Sequence, residues 1–300
     1  MPRTAGSCDA VVVNWNSGED LRDLLDDLAR QRGVDLHVTV VDNGSSDGSL
    51  ERARGTAQEF SLIATGANLG YTGGNGVGFR AVALDRPVLV VNPDVRLLQP
   101  DALAQLLAVL AEQPDLGAIA PAIRAEDGTL EHLGSIADVD RARVHHVDTF
   151  VAGPAPQLTD LEWIDGAAIL FRPEALREVG GFDERFFLFQ EEVDWCLRAR
   201  AAGWRVALTG RVEVGHRRSS SFGSSQKGAY YYWRNLYLLC AKHASSRVVW
   251  RVRWLAALLG FARRRRHLRS GASARALRGG LDALRGRWGA GPDDQAATAA

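Results

Sequence analysis

Two apolar segments of this chain end directly on carboxylates. Leu36 to Val41 runs into Asp42, and Val88 to Val91 runs into Asn92-Pro93-Asp94. Around them, strand-length apolar segments alternate with segments whose leucines recur every three or four residues. Ala10 to Trp15 is apolar and β-branched, as a buried strand is. Leu21, Leu24, Leu25 and Leu28 then share one helical face, with Ser17 placed to cap it. Ser61 to Ala64 reads as a short strand, and Leu103, Leu106, Leu107 and Leu110 mark another helix. Such alternation predicts βαβ units, hence an α/β fold with a mostly parallel central sheet flanked by helices. Ligands bind such sheets at the carboxyl ends of the strands. Asp42 and Asp94 are therefore expected at one crevice.

The second half is less regular. Periodicity is weak from about Ala122 to Leu161, Trp163 to Phe171 is strand-like, and Gly180-Gly181-Phe182-Asp183 is a turn. Glu191 to Ala202 reads as a helix, with short strands at Trp204 to Leu208 and Arg211 to His216. Residues 219–225 are rich in Ser and Gly, the composition of a mobile lid. The expected organisation is an α/β domain over 1–225, divided near 121/122, a basic helical region over 226–290, and a disordered tail over 291–300.

The net charge of zero conceals a division. Residues 1–225 carry 21 Lys and Arg against 33 Asp and Glu, whereas residues 226–288 carry 15 against one acid, Asp282. A basic region of this kind is suited to anions such as lipid headgroups. Cys8, Cys196 and Cys240 are odd in number and lack CxxC spacing, so they suggest neither a disulfide framework nor a zinc site, and a reducing cytoplasm fits best. No secretory leader is expected before Asp9, and no run of eighteen apolar residues is present.

Several clusters could carry chemistry, each with a plainer reading beside it. Asn92-Pro93-Asp94 can end a strand as an ordinary turn or hold a hard divalent cation. Asn68 to Gly76 is glycine-rich but fits neither the dinucleotide fingerprint nor the P-loop. It is either a flexible loop or a place where backbone N–H groups approach a ligand. In Gln190-Glu191-Glu192-Val193-Asp194-Trp195, the acids could complement a helix N-terminus or supply a general base. His216 precedes the Ser/Gly loop and reads as structural or as a ligand.

Taken in order, these segments resemble the family-2 glycosyltransferases, especially the rhamnosyltransferase-like branch. The resemblance rests on Val11-Val12-Val13-Asn14-Trp15-Asn16-Ser17, on Asp42 to Ser49, on Asn68 to Asn75, on Asn92-Pro93-Asp94 and on Trp163 to Ala167. It continues through Gly180 to Phe187, Glu191 to Trp195 and Tyr232-Trp233-Arg234-Asn235, covering about Ala10 to His243. It implies a GT-A fold with a C-terminal helical extension, and an inverting transferase that takes a sugar from a nucleotide-diphosphate donor, with dTDP- or UDP-rhamnose favoured. The acceptor would be a hydroxyl of a glycan, a lipid-linked intermediate or a small molecule.

The same resemblance assigns Asp42 to the nucleobase, and Asn14, Asn16, Asn68, Gly70, Asn75 and Asn92 to the donor nucleotide. Asp94 and His216 would hold Mg2+ or Mn2+, and Asp165 would lie near the reacting sugar. Glu192 occupies the catalytic-base position, with Glu191 and Asp194 as the alternatives. Two departures stand out: Asn92 replaces an acid in the metal motif, and Glu192 replaces the commoner Asp. The rivals are a sugar nucleotidyltransferase, a non-catalytic binding module and, for the basic region, a nucleic-acid binder, which the acidic body opposes. Val248, Val249, Val252, Leu255, Leu258 and Leu259, with Trp250, Trp254 and the arginines from Arg263 to Arg266, suggest a helix lying on the inner face of the plasma membrane. The alternative is a helix packed on the catalytic domain.

Overall fold

A computed structural model describes residues 6–125, 128–131, 134–147, 155–217, 225–246, 248–264 and 268–294. Arg218, residues 219–224 of the expected lid, Arg265, Arg266 and residues 295–300 lie outside these.

The first half follows the alternation. It runs β1 (Ser7–Asn14), α1 (Asp20–Ala29), β2 (Asp35–Asp42), α2 (Ser49–Ala53), β3 (Phe60–Ala64), α3 (Gly70–Ala81), β4 (Val88–Val91), β5 (Val95–Leu97) and α4 (Ala102–Glu112). Strands β3, β2, β1 and β4 are adjacent and parallel. The sheet continues through β11 (Ala168–Phe171), β6 (Leu116–Arg124), β12 (Arg205–His216) and β10 (Thr159–Asp160). Here β11 runs antiparallel to both neighbours, while β12 is parallel to β6. The two halves expected on either side of residue 121 therefore share one sheet. A separate hairpin pairs β8 (Gly134–Asp138) with β9 (Arg143–Val147).

Successive residues of a strand point to opposite faces. Ala10 and Val12 of β1 join a core with Leu21, Leu24 and Leu25 of α1 and Leu103 and Leu106 of α4. Val11 joins the core on the other face, with Phe79, Phe171 and Trp195. Burial on both faces explains why the central strands are apolar throughout.

Three expectations are corrected. The glycine-rich segment is not a flexible loop: from Gly70 onward it is helix α3. A Cβ at Gly74 would lie 2.6 Å from Val13 Cγ1, and one at Gly78 would lie 2.2 Å from Val11 Cγ1. These glycines let the helix backbone rest directly on β1. The two short strands expected between Trp204 and His216 are one strand, β12, whose register shifts between Thr209 and Glu213. Ser17 does not cap α1: the N-cap is Glu19, and the Ser17 hydroxyl donates to Asn14 Oδ1 instead.

The C-terminal region is helical, with α7 (Ser225–His243), α8 (Val249–Ala262) and α9 (Ala272–Leu284). Trp250 and Trp254 point inward. Both are 2 % exposed, Tyr237 packs edge-on against them, and Trp254 Nε1 donates to Trp233 O at 3.1 Å. Nor is all of 291–300 loose: Asp294 is buried and accepts from Tyr231 Oη at 2.6 Å and Lys227 Nζ at 2.5 Å. Among the described residues no helix is long and apolar enough to cross a membrane.

Candidate functional site

Asn14 closes β1, Asp42 closes β2, and Asn92 follows β4 directly. Strand order reverses at β1, which has β2 on one side and β4 on the other. A cleft open to solvent lies at these strand ends. Its lining includes Trp15, Asp20, Asn68, Gly70, Tyr71, Asn92, Asp94, Phe187 and Lys227.

Of the residues expected to hold a nucleotide, Asn68, Gly70 and Asn92 line this cleft; Asn14, Asn16, Asp42 and Asn75 do not. Asn14 is fully buried and braces the loop after β2. Its amide donates to Asp42 Oδ1 at 2.9 Å and to the hydroxyls of Ser45 and Ser49, each at 3.0 Å. Asn16, at φ 49°, accepts from the Ser46 amide at 2.8 Å. Asn75 is buried within α3 and donates to Tyr71 O at 2.9 Å. The sequence reading did not single out Asn43. This residue donates to Asn68 Oδ1 at 3.1 Å and to Gly70 O at 3.0 Å, and it accepts from Leu69 N at 3.0 Å. It ties the end of β2 to the start of α3.

Asp94 and His216 meet across the β5–β12 pairing, where His216 stands opposite Val95. His216 Nε2 is 3.4 Å from Asp94 Oδ1, and both side chains are largely buried. Asp20, in the first turn of α1, lines the same cleft. Burial and the charge of Asp94 raise its pKa, against the lowering effect of Arg217. Among the described residues no cluster of three or more Asp, Glu, His or Cys is placed to hold a metal. Asp94 and His216 are thus a two-donor pair, of which the carboxylate oxygen is the donor type that suits Mg2+ or Mn2+. A cation between them would also relieve the repulsion between Asp20 and Asp94.

The carboxylates of α6 (Glu191–Ala201) differ from one another. Asp194 is fully buried. Burial raises its pKa, but the His243 hydrogen bond and the charges of Arg198 and Lys242 outweigh this and lower it. Its contacts to these groups measure 2.8, 2.9 and 2.6 Å. Glu191 is also buried; burial and the charge of Glu192 raise its pKa well above the usual range. Glu192 is only partly covered. Burial, and after it the charge of Asp165, push it up to about 7, while backbone N–H groups at the helix start and a hydrogen bond with Glu191 oppose the rise.

Tyr71 connects these acids to the cleft. It lines the cleft, and its hydroxyl donates to Gly166 O at 2.8 Å. A Cβ at Gly166 would be 3.7 Å from Glu192 Cγ. Asp165, next to Gly166, accepts from the Ala167 amide at 2.8 Å. Burial and the charges of Glu191, Glu192 and Asp165 raise the Tyr71 pKa well above its ordinary value.

The segment before α6 is bent sharply. Phe187 (φ 63°, ψ −50°) centres a γ-turn in which Leu188 N donates to Phe186 O at 2.7 Å, a rare and strained geometry. Phe189 and Gln190 also have positive φ. The motif Arg234-Asn235 holds this segment from α7. Asn235 Nδ2 donates to the carbonyls of Phe186, Leu188 and Phe189 at 2.9, 2.6 and 2.9 Å, and Arg234 adds a bond to Phe186 O at 2.8 Å. Gly70 completes the fit, since a Cβ there would lie 2.4 Å from Phe187 O.

A cleft at the reversal point of a Rossmann-like half-sheet, continued by a mixed half with carboxylates at its edge, defines the nucleotide-sugar-handling GT-A class of fold. A mannosyltransferase from Pyrobaculum calidifontis, solved with GDP-Man and Mn2+, superposes with a TM-score of 0.55 at 15% identity, over 92% of this chain and 86% of that one. Residues 6–229 match the family described as Glycosyltransferase like family 2. The chain is 31% identical over 243 residues to an N-acetylglucosaminyl-diphospho-decaprenol L-rhamnosyltransferase of Mycobacterium tuberculosis, covering 71% of this chain and 76% of that protein. It is 27% identical to a low-salt glycan biosynthesis hexosyltransferase of Haloferax volcanii, over 76% and 73% of the two chains. The protein belongs to glycosyltransferase family 2.

Proposed function

We propose that this chain is an inverting glycosyltransferase that moves a deoxyhexose, rhamnose first, from a dTDP- or UDP-sugar to the hydroxyl of a glycan or lipid-linked acceptor. The observation that carries the reading is the cleft at the strand ends, lined by Asp94 and Tyr71, with the partly covered Glu192 reached from Tyr71 through Gly166. The rhamnosyl choice leans on the mycobacterial relative, whose name specifies a lipid-diphosphate acceptor.

In this mechanism the donor's diphosphate lies along the strand ends, near Asp94 and Lys227. Glu192 takes the proton from the acceptor hydroxyl. The hydroxyl oxygen bonds to the anomeric carbon from the face opposite the leaving group, and the bond to the diphosphate oxygen breaks. Asp94 and His216 would hold Mg2+ or Mn2+, which when bound neutralises charge on the diphosphate. Lys227 adds a cation from α7; its ammonium sits 4.7 Å from the centre of the Trp15 ring. Asp165 positions the Gly166 turn against Glu192. The three described cysteines are buried and unpaired by disulfides, in keeping with the cytoplasmic setting proposed here.

The test is a panel of nucleotide sugars with Mn2+, Mg2+ or EDTA, read by thermal shift and by slow donor hydrolysis. The expected outcome is metal-dependent stabilisation by dTDP- or UDP-rhamnose. Equal response to every nucleotide, or none from folded protein, would overturn the donor assignment.

A further inference from the structure

Large apolar side chains exposed on the described residues are not scattered. Of the eleven, eight lie between 248 and 284: Val248, Val249, Val252, Leu255, Leu268, Leu277, Leu281 and Leu284. On α9 the exposed leucines follow i, i+4, i+7 spacing, while Ala276, Gly280 and Ala283 of the same helix are buried. This helix therefore has an inner face of small residues packed on α7 and α8 and an outer apolar stripe that faces solvent. Gly279 shows how close the inner packing is, since a Cβ there would lie 2.2 Å from Tyr230 O. On α8 the outer side carries Val248, Val252 and Leu255, again at i, i+4, i+7, while Trp250, Trp254 and Leu258 fill the inside.

The flanking charge is mostly positive. Arg251, Arg253, Arg263, Arg264, Arg278 and Arg285 are exposed beside these stripes. From 248 to 288 the only acid is Asp282, which is 2 % exposed and accepts from Tyr230 Oη at 3.0 Å. Apolar stripes bordered by these arginines, with the exposed Asp293 already paired to Arg275 at 2.5 Å, fit a negatively charged lipid surface. A second copy presenting the same face would bring arginine against arginine. We infer that α8 and α9 together form the surface by which this protein docks on an anionic lipid bilayer. The inference deepens the lipid-linked acceptor reading above and rests on it for its purpose, but not for its evidence.

The experiment is co-sedimentation of the full chain with vesicles of phosphatidylcholine, alone or with about one-third phosphatidylglycerol. Binding is expected to the anionic vesicles and not to the neutral ones, and to weaken as salt is raised toward about 1 M. Leu277→Ser combined with Leu281→Ser and Leu284→Ser should lower the partition coefficient by about tenfold or more, with melting temperature and nucleotide-sugar binding unchanged. Absence of binding by the wild-type protein at low salt would overturn the docking surface, as would equal binding by the triple variant. A stable dimer in solution that the triple variant splits would assign the stripes to a second copy instead. Donor binding is read separately, so failure of the transferase reading would not be mistaken for failure of this surface.

Discussion

Glu191 and Glu192 are neighbours in sequence with opposite surroundings. Glu191 turns inward, and burial raises its pKa well above the usual range. Glu192 remains partly open and is poised near neutrality, the range in which a general base combines availability with driving force. Glu192→Gln is expected to keep donor binding and to lose about 10²–10⁴ in turnover, measured by steady-state kinetics. In the wild type the base works deprotonated, so kcat/KM should fall as pH drops below about 7 and level off above it. A profile flat from pH 5 to 8 would remove Glu192 from the role. The sequence placed three acids here and favoured Glu192 only through the family resemblance, with no physical difference between them. Their difference comes from neighbours distant in sequence: His243 and Lys242 on Asp194, and Asp165 on Glu192.

Among the elements, the γ-turn between Phe186 and Leu188 and the helix α7 are coupled through one amide. Asn235 is fully buried and serves three carbonyls of the strained segment. Removing a buried donor leaves its acceptors unpaired, at about 1–3 kcal/mol. Asn235→Ala is therefore expected to lower the unfolding free energy read from urea titration by an amount of that order and to weaken nucleotide binding, because Phe187 and Leu188 line the cleft. Unchanged binding with lowered stability would make Asn235 structural only. The Tyr-Trp-Arg-Asn pattern was visible in the sequence as a motif without a mechanism. Its mechanism needs the carbonyls of a segment some fifty residues earlier. Helix α3 shows the converse error: glycines suggested a loop, yet helix propensity gave way to the close packing of α3 on β1.

For the whole molecule, α7 is locked to the catalytic sheet by a network around Lys242. Its ammonium is 2.6 Å from both Asp183 and Asp194. Burial acts to raise both carboxyls, but their hydrogen bonds and cations win, and both are depressed. A depressed carboxyl stabilises the fold above its unfolded pKa, about 4, and loses that contribution as pH falls through its folded value. Urea midpoints measured by circular dichroism should therefore decline as pH falls below about 4, and Lys242→Met should flatten that decline. An unaltered slope in the variant would show that other carboxylates govern acid stability.

The sequence by itself determined the strand–helix alternation, the carboxylates at strand ends and the order of motifs that places the chain in its family. These depend on periodicity and local chemistry, which are written along the chain. Only the tertiary structure decided that Asn14 and Asp42 brace a loop, while Asn43, Tyr71 and Lys227, to which the sequence assigned no role, reach the cleft. It also turned the tryptophans of α8 inward and left the leucines of α9 outside. Which face of an element is buried, and which polar atom finds a partner, is set by residues far away in sequence, and packing brings them together only once the sheet and α7 are assembled.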